Sequence, residues 1–203
     1  MDISLRALVL RKRQSTPIVD AVKCRRMLVL LFISCLLASW HAEATGNEKL
    51  AAIQEGIKRE YQLLEQVDAN ALAALADRGL VIFDVRQQRE FDVSHLRGAI
   101  RVAPDVSSAE FMTLYGDLAS GKSLVFYCSV GERSSALASR VRKEMLNVGA
   151  AGIYNLEGGI FKWHNDGRAL VSGARATEYI HPYNAYWGRL IDRSELIRDQ
   201  AGD

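Results

Sequence analysis

The chain is poor in the residues that would signal a fibrous, disordered or disulfide-stapled protein: 3 Pro and 3 Cys in 203 residues, with 15 Gly. That scarcity excludes a collagen-like chain and a cysteine scaffold, and 49% apolar with 25% charged residues is the balance of an ordinary globular protein. A strong charge of one sign is missing too. The formal net charge is +2, but residues 1–44 carry 7 Lys+Arg against 3 Asp+Glu, which leaves the remainder at 19 against 21. A slightly acidic body lacks the electrostatic footprint of a nucleic-acid binder, so no nucleic-acid partner is expected. No run is long enough to span a bilayer, which takes about 20 apolar residues. Spaced metal ligands are lacking as well: His41, His95, His164 and His181 are scattered, so neither a metal nor an organic cofactor is expected.

The longest uncharged run, Met27 to Trp40, follows Lys23, Arg25 and Arg26 and precedes Ala42-Glu43-Ala44. That is the charged, apolar, small-residue order of a secretory signal peptide. Residues 1–44 are therefore read as an export signal cut after Ala44, with an uncleaved anchor as the alternative, and the mature protein as periplasmic or secreted. The 26 residues ahead of the run are long for such a signal. The membrane enters only through this segment. Cys24 and Cys35 fall within it, so Cys128 is the single cysteine of the mature chain and has no internal disulfide partner. A lone thiol of this kind is read either as a reactive group or as a small buried hydrophobe.

Past the signal, helical spacing runs through Asn47–Ala76 and stops at Asp77-Arg78-Gly79. Leu80–Phe83 and Ser123–Tyr127 are apolar runs that each follow a glycine, as strands buried on both faces do, and Gly152–Leu156 is a third candidate. Between them, Ala109–Leu118 and Ser134–Leu146 read as helices, the latter with Leu137, Val141 and Met145 on one face. Alternating strands and helices predict an α/β fold of three layers, with a largely parallel central sheet flanked by helices. The organisation is a helical lead-in at 45–65, a domain at 66–172 and a tail at 173–203. His181-Pro182-Tyr183-Asn184-Ala185-Tyr186-Trp187 in that tail is read as aromatic packing on the domain, and a charged helical end follows.

Cys128 directly follows a buried strand, and Ser129-Val130-Gly131-Glu132-Arg133 lead straight into the helix starting near Ser134. The sulfur is thereby placed at the C-terminal edge of the sheet, beside a helix N-terminus with unpaired amides. A tight loop of amides is an anion nest, which favours the nucleophilic thiolate, and Gly131 supplies the freedom its curvature needs.

Three motifs together resemble the rhodanese family of sulfurtransferases over roughly Gln66–Leu170. They are Phe83-Asp84-Val85-Arg86 with Glu90-Phe91, then Ser94-His95-Leu96-Arg97-Gly98-Ala99-Ile100, then the Cys128–Ser134 loop with Asn155-Leu156-Glu157-Gly158-Gly159-Ile160 and Trp163 downstream. The resemblance implies a single-domain thiosulfate sulfurtransferase. In that reading Cys128 is the nucleophile that carries a persulfide, and Ser129, Val130, Gly131, Glu132, Arg133 and Ser134 bind the substrate. The donor is a small sulfur-containing anion such as thiosulfate, or another protein; the acceptor is cyanide or a low-molecular-weight thiol, or again a protein. The alternatives are a persulfide carrier or partner-binding module with little turnover, and, less favoured, a cysteine phosphatase or arsenate reductase. Phosphatase loops have five residues between Cys and Arg, whereas Cys128 and Arg133 are separated by four.

Supporting roles divide. Asp84 either orients the site or is a structural carboxylate bonded to nearby amides. Arg86 and Glu90, four apart, are expected to pair with each other. His95 is expected to be structural. Arg133 either attracts an anionic donor or points to solvent, and Glu132 opposes an anion if it turns inward. Protein recovered from the extracytoplasmic fraction is expected to give an intact mass that begins at Thr45; a full-length cytoplasmic chain would overturn the export reading.

Overall fold

The computed structural model describes residues 44–202, Arg78 apart. The export signal read in residues 1–44, with Cys24 and Cys35, lies outside them except for Ala44. No helix among the described residues is long and apolar enough to cross a membrane.

The elements run α1 (Gly46–Glu60), β1 (Glu65–Val67), α2 (Ala69–Ala76), β2 (Leu80–Asp84), α3 (Gln88–Val93), β3 (Ile100–Arg101), α4 (Ser108–Tyr115), β4 (Ser123–Tyr127), α5 (Glu132–Asn147), β5 (Gly152–Leu156), α6 (Gly159–Asn165), β6 (Leu170–Ser172), β7 (Arg175–Thr177) and α7 (Ala185–Gly188). The central sheet has the order β1-β5-β4-β2-β3, and every pairing in it is parallel. β6 and β7 form a separate antiparallel pair.

β4 lies in the middle of the sheet with all five residues buried. Its alternation splits the core into two. Leu124 and Phe126 face a cluster with Phe83, Phe111, Leu137, Val141 and Met145, supplied largely by α4 and α5. Val125 and Tyr127 face another with Leu50, Leu72, Ile160, Phe161 and Ile180, supplied by α1, α2, α6 and the tail. Helices cover both faces, which is why these strands read as apolar runs without alternation. The expected α5 face is in place: Leu137, Val141 and Met145 are fully buried. Phe83, Phe111 and Phe126 pack with centroids 5.0–5.6 Å apart.

α1 starts at a capping box in which the Thr45 hydroxyl accepts from Glu48 N and the Glu48 carboxylate accepts from Thr45 N, and Lys58 and Arg59 sit in its last turn. Both ends are electrostatically matched to the helix dipole.

Three readings of the sequence are corrected, and three short elements are added. Asn47–Ala76 is not purely helical: β1 interrupts it as an edge strand of three residues, too short for a periodic signal. α5 starts at Glu132 rather than Ser134. α3, β3 and α6, with six, two and seven residues, went unread for the same shortness. The charged end is not a regular helix, since Ser194–Leu196 forms only a 3₁₀ turn and the surrounding chain is irregular. The tail nevertheless packs through Ile180, His181, Leu190 and Ile191, all buried. Tyr179 and Tyr186 are exceptions, 40% and 66% exposed.

Candidate active site

Cys128 follows the last residue of β4, and Gly131 is the N-cap of α5 with φ +104°. The chain thus passes from strand to helix in four residues, Cys128 to Gly131, and a side chain at Gly131 would be strained by that φ. A Cβ there would also come within 3.0 Å of Asn155 Nδ2. The Gly131 amide donates to Cys128 Sγ at 3.3 Å. No acceptor among the described residues takes the amides of Val130, Glu132, Arg133 or Ser134, and α5 has no side-chain cap. These free N–H groups are what a bound anion at this helix start would meet. Cys128 is a free thiol only 1% exposed, so the loop is closed over it.

The loop is braced from two sides. Ile160 N donates to Cys128 O at 2.9 Å and Phe161 N to Ser129 O at 3.0 Å, docking the first turn of α6 on the loop carbonyls. Only glycine fits at 159, because a Cβ would lie 2.5 Å from Cys128 O. Beneath the loop runs a buried polar chain. Ser134 Oγ lies 2.6 Å from Asn155 Oδ1 and donates to it; Asn155 Nδ2 and Gln54 Nε2 both donate to Gln66 Oε1, at 2.8 and 3.0 Å. Gln54 Oε1 in turn accepts from Gly158 N at 3.0 Å. Sequence reasoning missed Gln54 and Gln66. A polar residue at a helix position facing the core, as Gln54 is between Leu50 and Ile57, was the available signal.

The charged residues pair differently from the sequence expectation. Arg86 does not meet Glu90; it forks onto Asp84, Nε to Oδ1 at 2.8 Å and Nη2 to Oδ2 at 2.7 Å. Arg86 lies ahead of α3, so the four-residue spacing never falls on one helix. Arg86 Nη2 also donates to Ser94 O, and Tyr127 Oη donates to Asp84 Oδ2 at 2.6 Å while accepting from Leu96 N. Asp84 is therefore a structural carboxylate, bonded to side chains rather than to amides. Burial and the Asp84 charge push the Tyr127 phenol well up, so it stays a donor. Burial works against the Arg86 cation, and Asp84 more than restores it.

Glu90, fully buried, is instead held by Arg133: Nη1 to Oε2 and Nη2 to Oε1, both at 3.0 Å. Ser129 joins them, donating to Glu90 Oε1 at 3.1 Å and accepting from Arg133 Nη2 at 2.9 Å. The Arg133 guanidinium lies under the Tyr183 ring, 4.6 Å from its centroid. Arg133 thus neither points to solvent nor offers a free charge. Burial opposes its cation, but its bonds to Glu90 and the neighbouring Cys128 sulfur hold its pKa above the ordinary value. Glu132 turns outward and accepts from Tyr61 Oη at 3.3 Å, so it does not face the sulfur. His95 is structural, stacked on Phe91 at 3.8 Å with Nδ1 donating to Phe91 O. No group of three or more metal-ligating side chains occurs among the described residues.

The site is thus a buried cysteine at the head of a short loop that joins a parallel strand to a helix. Residues 68–166 form a rhodanese-like domain, the stretch matched by the family model of that description. A tRNA uridine(34) hydroxylase of Staphylococcus epidermidis is 35% identical over 98 residues, which is 46% of this chain and 29% of that protein. Another, of Burkholderia ambifaria, is 30% identical over 158 residues, 72% of this chain and 49% of that protein. The chain therefore spans less than half the length of these curated relatives. A solved thiosulfate sulfurtransferase from Pseudomonas aeruginosa is 22% identical over 61% of this chain and 23% of its own, with a TM-score of 0.43.

The Glu90–Arg133 pair has a pH signature. Burial would raise the Glu90 carboxyl, but Arg133 and, further off, Arg86 outweigh it and hold it below its ordinary 4.5. A depressed carboxyl stabilises the fold above its unfolded value and loses that contribution as pH falls through the native one. Glu90→Gln is expected to cost about 1–3 kcal/mol in urea unfolding at pH 7. Its deficit against wild type should shrink as pH drops below about 4.5. A deficit independent of pH would contradict the pairing.

Proposed function

We propose that the domain is a sulfurtransferase that moves a sulfane sulfur through a Cys128 persulfide. The observation that carries this is the Cys128 sulfur accepting the Gly131 amide at 3.3 Å, with the amides of Val130, Glu132, Arg133 and Ser134 uncommitted in the same turn. Donors fixed in place before reaction stabilise charge without reorganising. With thiosulfate as donor, the loop that closes over the 1%-exposed sulfur first opens to admit the anion; the Cys128 thiolate then attacks the outer sulfur, the S–S bond of thiosulfate breaks, and sulfite leaves with the bonding pair. The persulfide anion then gives its outer sulfur to cyanide or to a thiolate, and the Cys128 thiolate returns. Two half-reactions sharing one covalent intermediate imply ping-pong kinetics.

Ser129, Val130, Gly131, Glu132, Arg133 and Ser134 serve chiefly through their backbone in this reading. Arg133 is committed to Glu90, so it positions the loop and shapes its mouth rather than meeting the donor with a free charge. Asp84 and Arg86 support the site from below through Tyr127 and the 94–96 backbone. The four-residue spacing between Cys128 and Arg133 fits a single sulfur better than a phosphoryl group. We do not extend the tRNA substrate in the relatives' name to this chain. It spans under half of them, and residues 45–203 carry 19 basic against 21 acidic side chains.

Given thiosulfate and cyanide, the protein is expected to form thiocyanate with parallel double-reciprocal lines, and Cys128→Ser to fall to the uncatalysed background. Thiocyanate formation that survives in Cys128→Ser would overturn the assignment. A stable persulfide without turnover would shift it to the carrier alternative.

A further inference from the structure

Cys128 is walled by groups that the core holds in place. Beside Gly131, whose amide reaches the sulfur, stand Asn155, Ile57 and Gln54, each no more than 2% exposed. The first turn of α6 is bonded to the Cys128 and Ser129 carbonyls. Arg133 closes the outer side: its guanidinium neighbours the sulfur and donates to Ser129 Oγ, and its side chain is 24% exposed. A solute that reaches the sulfur therefore passes Arg133.

Two groups pin that guanidinium. Its N–H donors are forked onto Glu90, while the half-buried Tyr183 ring lies across it with the centroid at 4.6 Å. Tyr183 comes from the tail, outside the matched stretch 68–166. It is also the one non-glycine residue with positive φ among the described residues, at +64°. A residue with a side chain keeps that conformation only where its surroundings impose it. Here the turn is imposed locally: Tyr183 N donates to His181 Nδ1 at 2.9 Å, and Asn184 N to Pro182 O at 2.8 Å. The turn is anchored by Ile180, whose N–H donates to Leu196 O and whose C=O accepts from Arg198 N. Its result is an aromatic ring set on Arg133.

We infer that Tyr183 is a gate residue: its ring clamps Arg133 over the Cys128 loop, and the sulfur is reached when the ring leaves and the Arg133 side chain swings out. The gate's purpose, admission of a sulfur donor, rests on the sulfurtransferase reading; the closure itself is a property of the thiol and is tested without a donor. The test is the rate at which iodoacetamide alkylates Cys128 in the full chain, followed across pH by mass spectrometry of the peptide that contains it. Tyr183→Gly removes the ring and suits the left-handed turn, so the backbone there is kept. It is expected to raise the limiting rate at high pH by about fivefold or more, the scale of a cation–π contact, with the midpoint of the pH profile unmoved. Tyr183→Phe keeps a ring and should stay within about twofold of wild type, as should Tyr186→Ala, which removes an exposed aromatic of the same tail. An unchanged rate in Tyr183→Gly overturns the inference. So does a gain that comes only from a shifted midpoint, or an equal gain in Tyr183→Phe or Tyr186→Ala. The expected alkylation pattern in a chain that forms no thiocyanate would support the gate while striking the sulfurtransferase reading.

Discussion

The passage from β4 to α5 takes four residues, and the arrangement around it holds that turn. Gly131 adopts φ +104° so that its own amide turns back onto the Cys128 sulfur at 3.3 Å. A turn this tight leaves loop carbonyls and amides to be satisfied separately. The carbonyls of Cys128 and Ser129 are taken by the first turn of α6, which comes close enough only because residue 159 is glycine. The amides of the α5 start are left free. The same constraint fixes the polar chain below, where Ser134, Asn155, Gln66 and Gln54 tie α5, β5, β1 and α1 into one hydrogen-bonded floor. α1 is thus part of the site's support and not merely a lead-in to the domain.

Electrostatics divide the charged residues into two layers. Asp84 and Arg86 are both fully buried, and such a pair contributes shape more than net stability, since desolvation offsets the attraction. Breaking it would strand a charge in the core beneath the 94–96 backbone. Glu90 and Arg133 form the outer layer, beside the sulfur, where Tyr183 from the tail covers the guanidinium. Because Arg133 is paired with Glu90, the proposed attraction for an anion at the loop would rest on backbone dipoles. Those are aimed by the fold and do not titrate.

Much of this was legible in the sequence. The apolar runs of β2 and β4, the α5 face and the glycine within the Cys128 loop are local patterns with strong periodicity or a conformational requirement, and they were placed correctly. β1, β3, α3 and α6 were not, because two to seven residues carry too little periodicity to separate a strand or helix from a loop. The site's pairings were legible only in part. Arg86 and Glu90 have helical spacing, yet Arg86 precedes the helix, and its true partner Asp84 sits two residues back on a strand end. The partner of Glu90 is 43 residues away. The same holds for Gln54 and Gly158, and for Arg133 and Tyr183, which only the tertiary fold brings together. The tail's aromatics suggested packing, but not that one of them would cover the charged mouth of the loop.

The central claim is that Cys128 carries the sulfur as a covalent adduct stabilised by its loop. Intact mass spectrometry after a single exposure to thiosulfate tests it most directly. A gain of about 32 Da, as expected for a persulfide, should appear in the wild-type chain, vanish on adding cyanide, and be absent in Cys128→Ser. An adduct that persists in Cys128→Ser, or a wild-type chain that never gains the mass, would contradict the account.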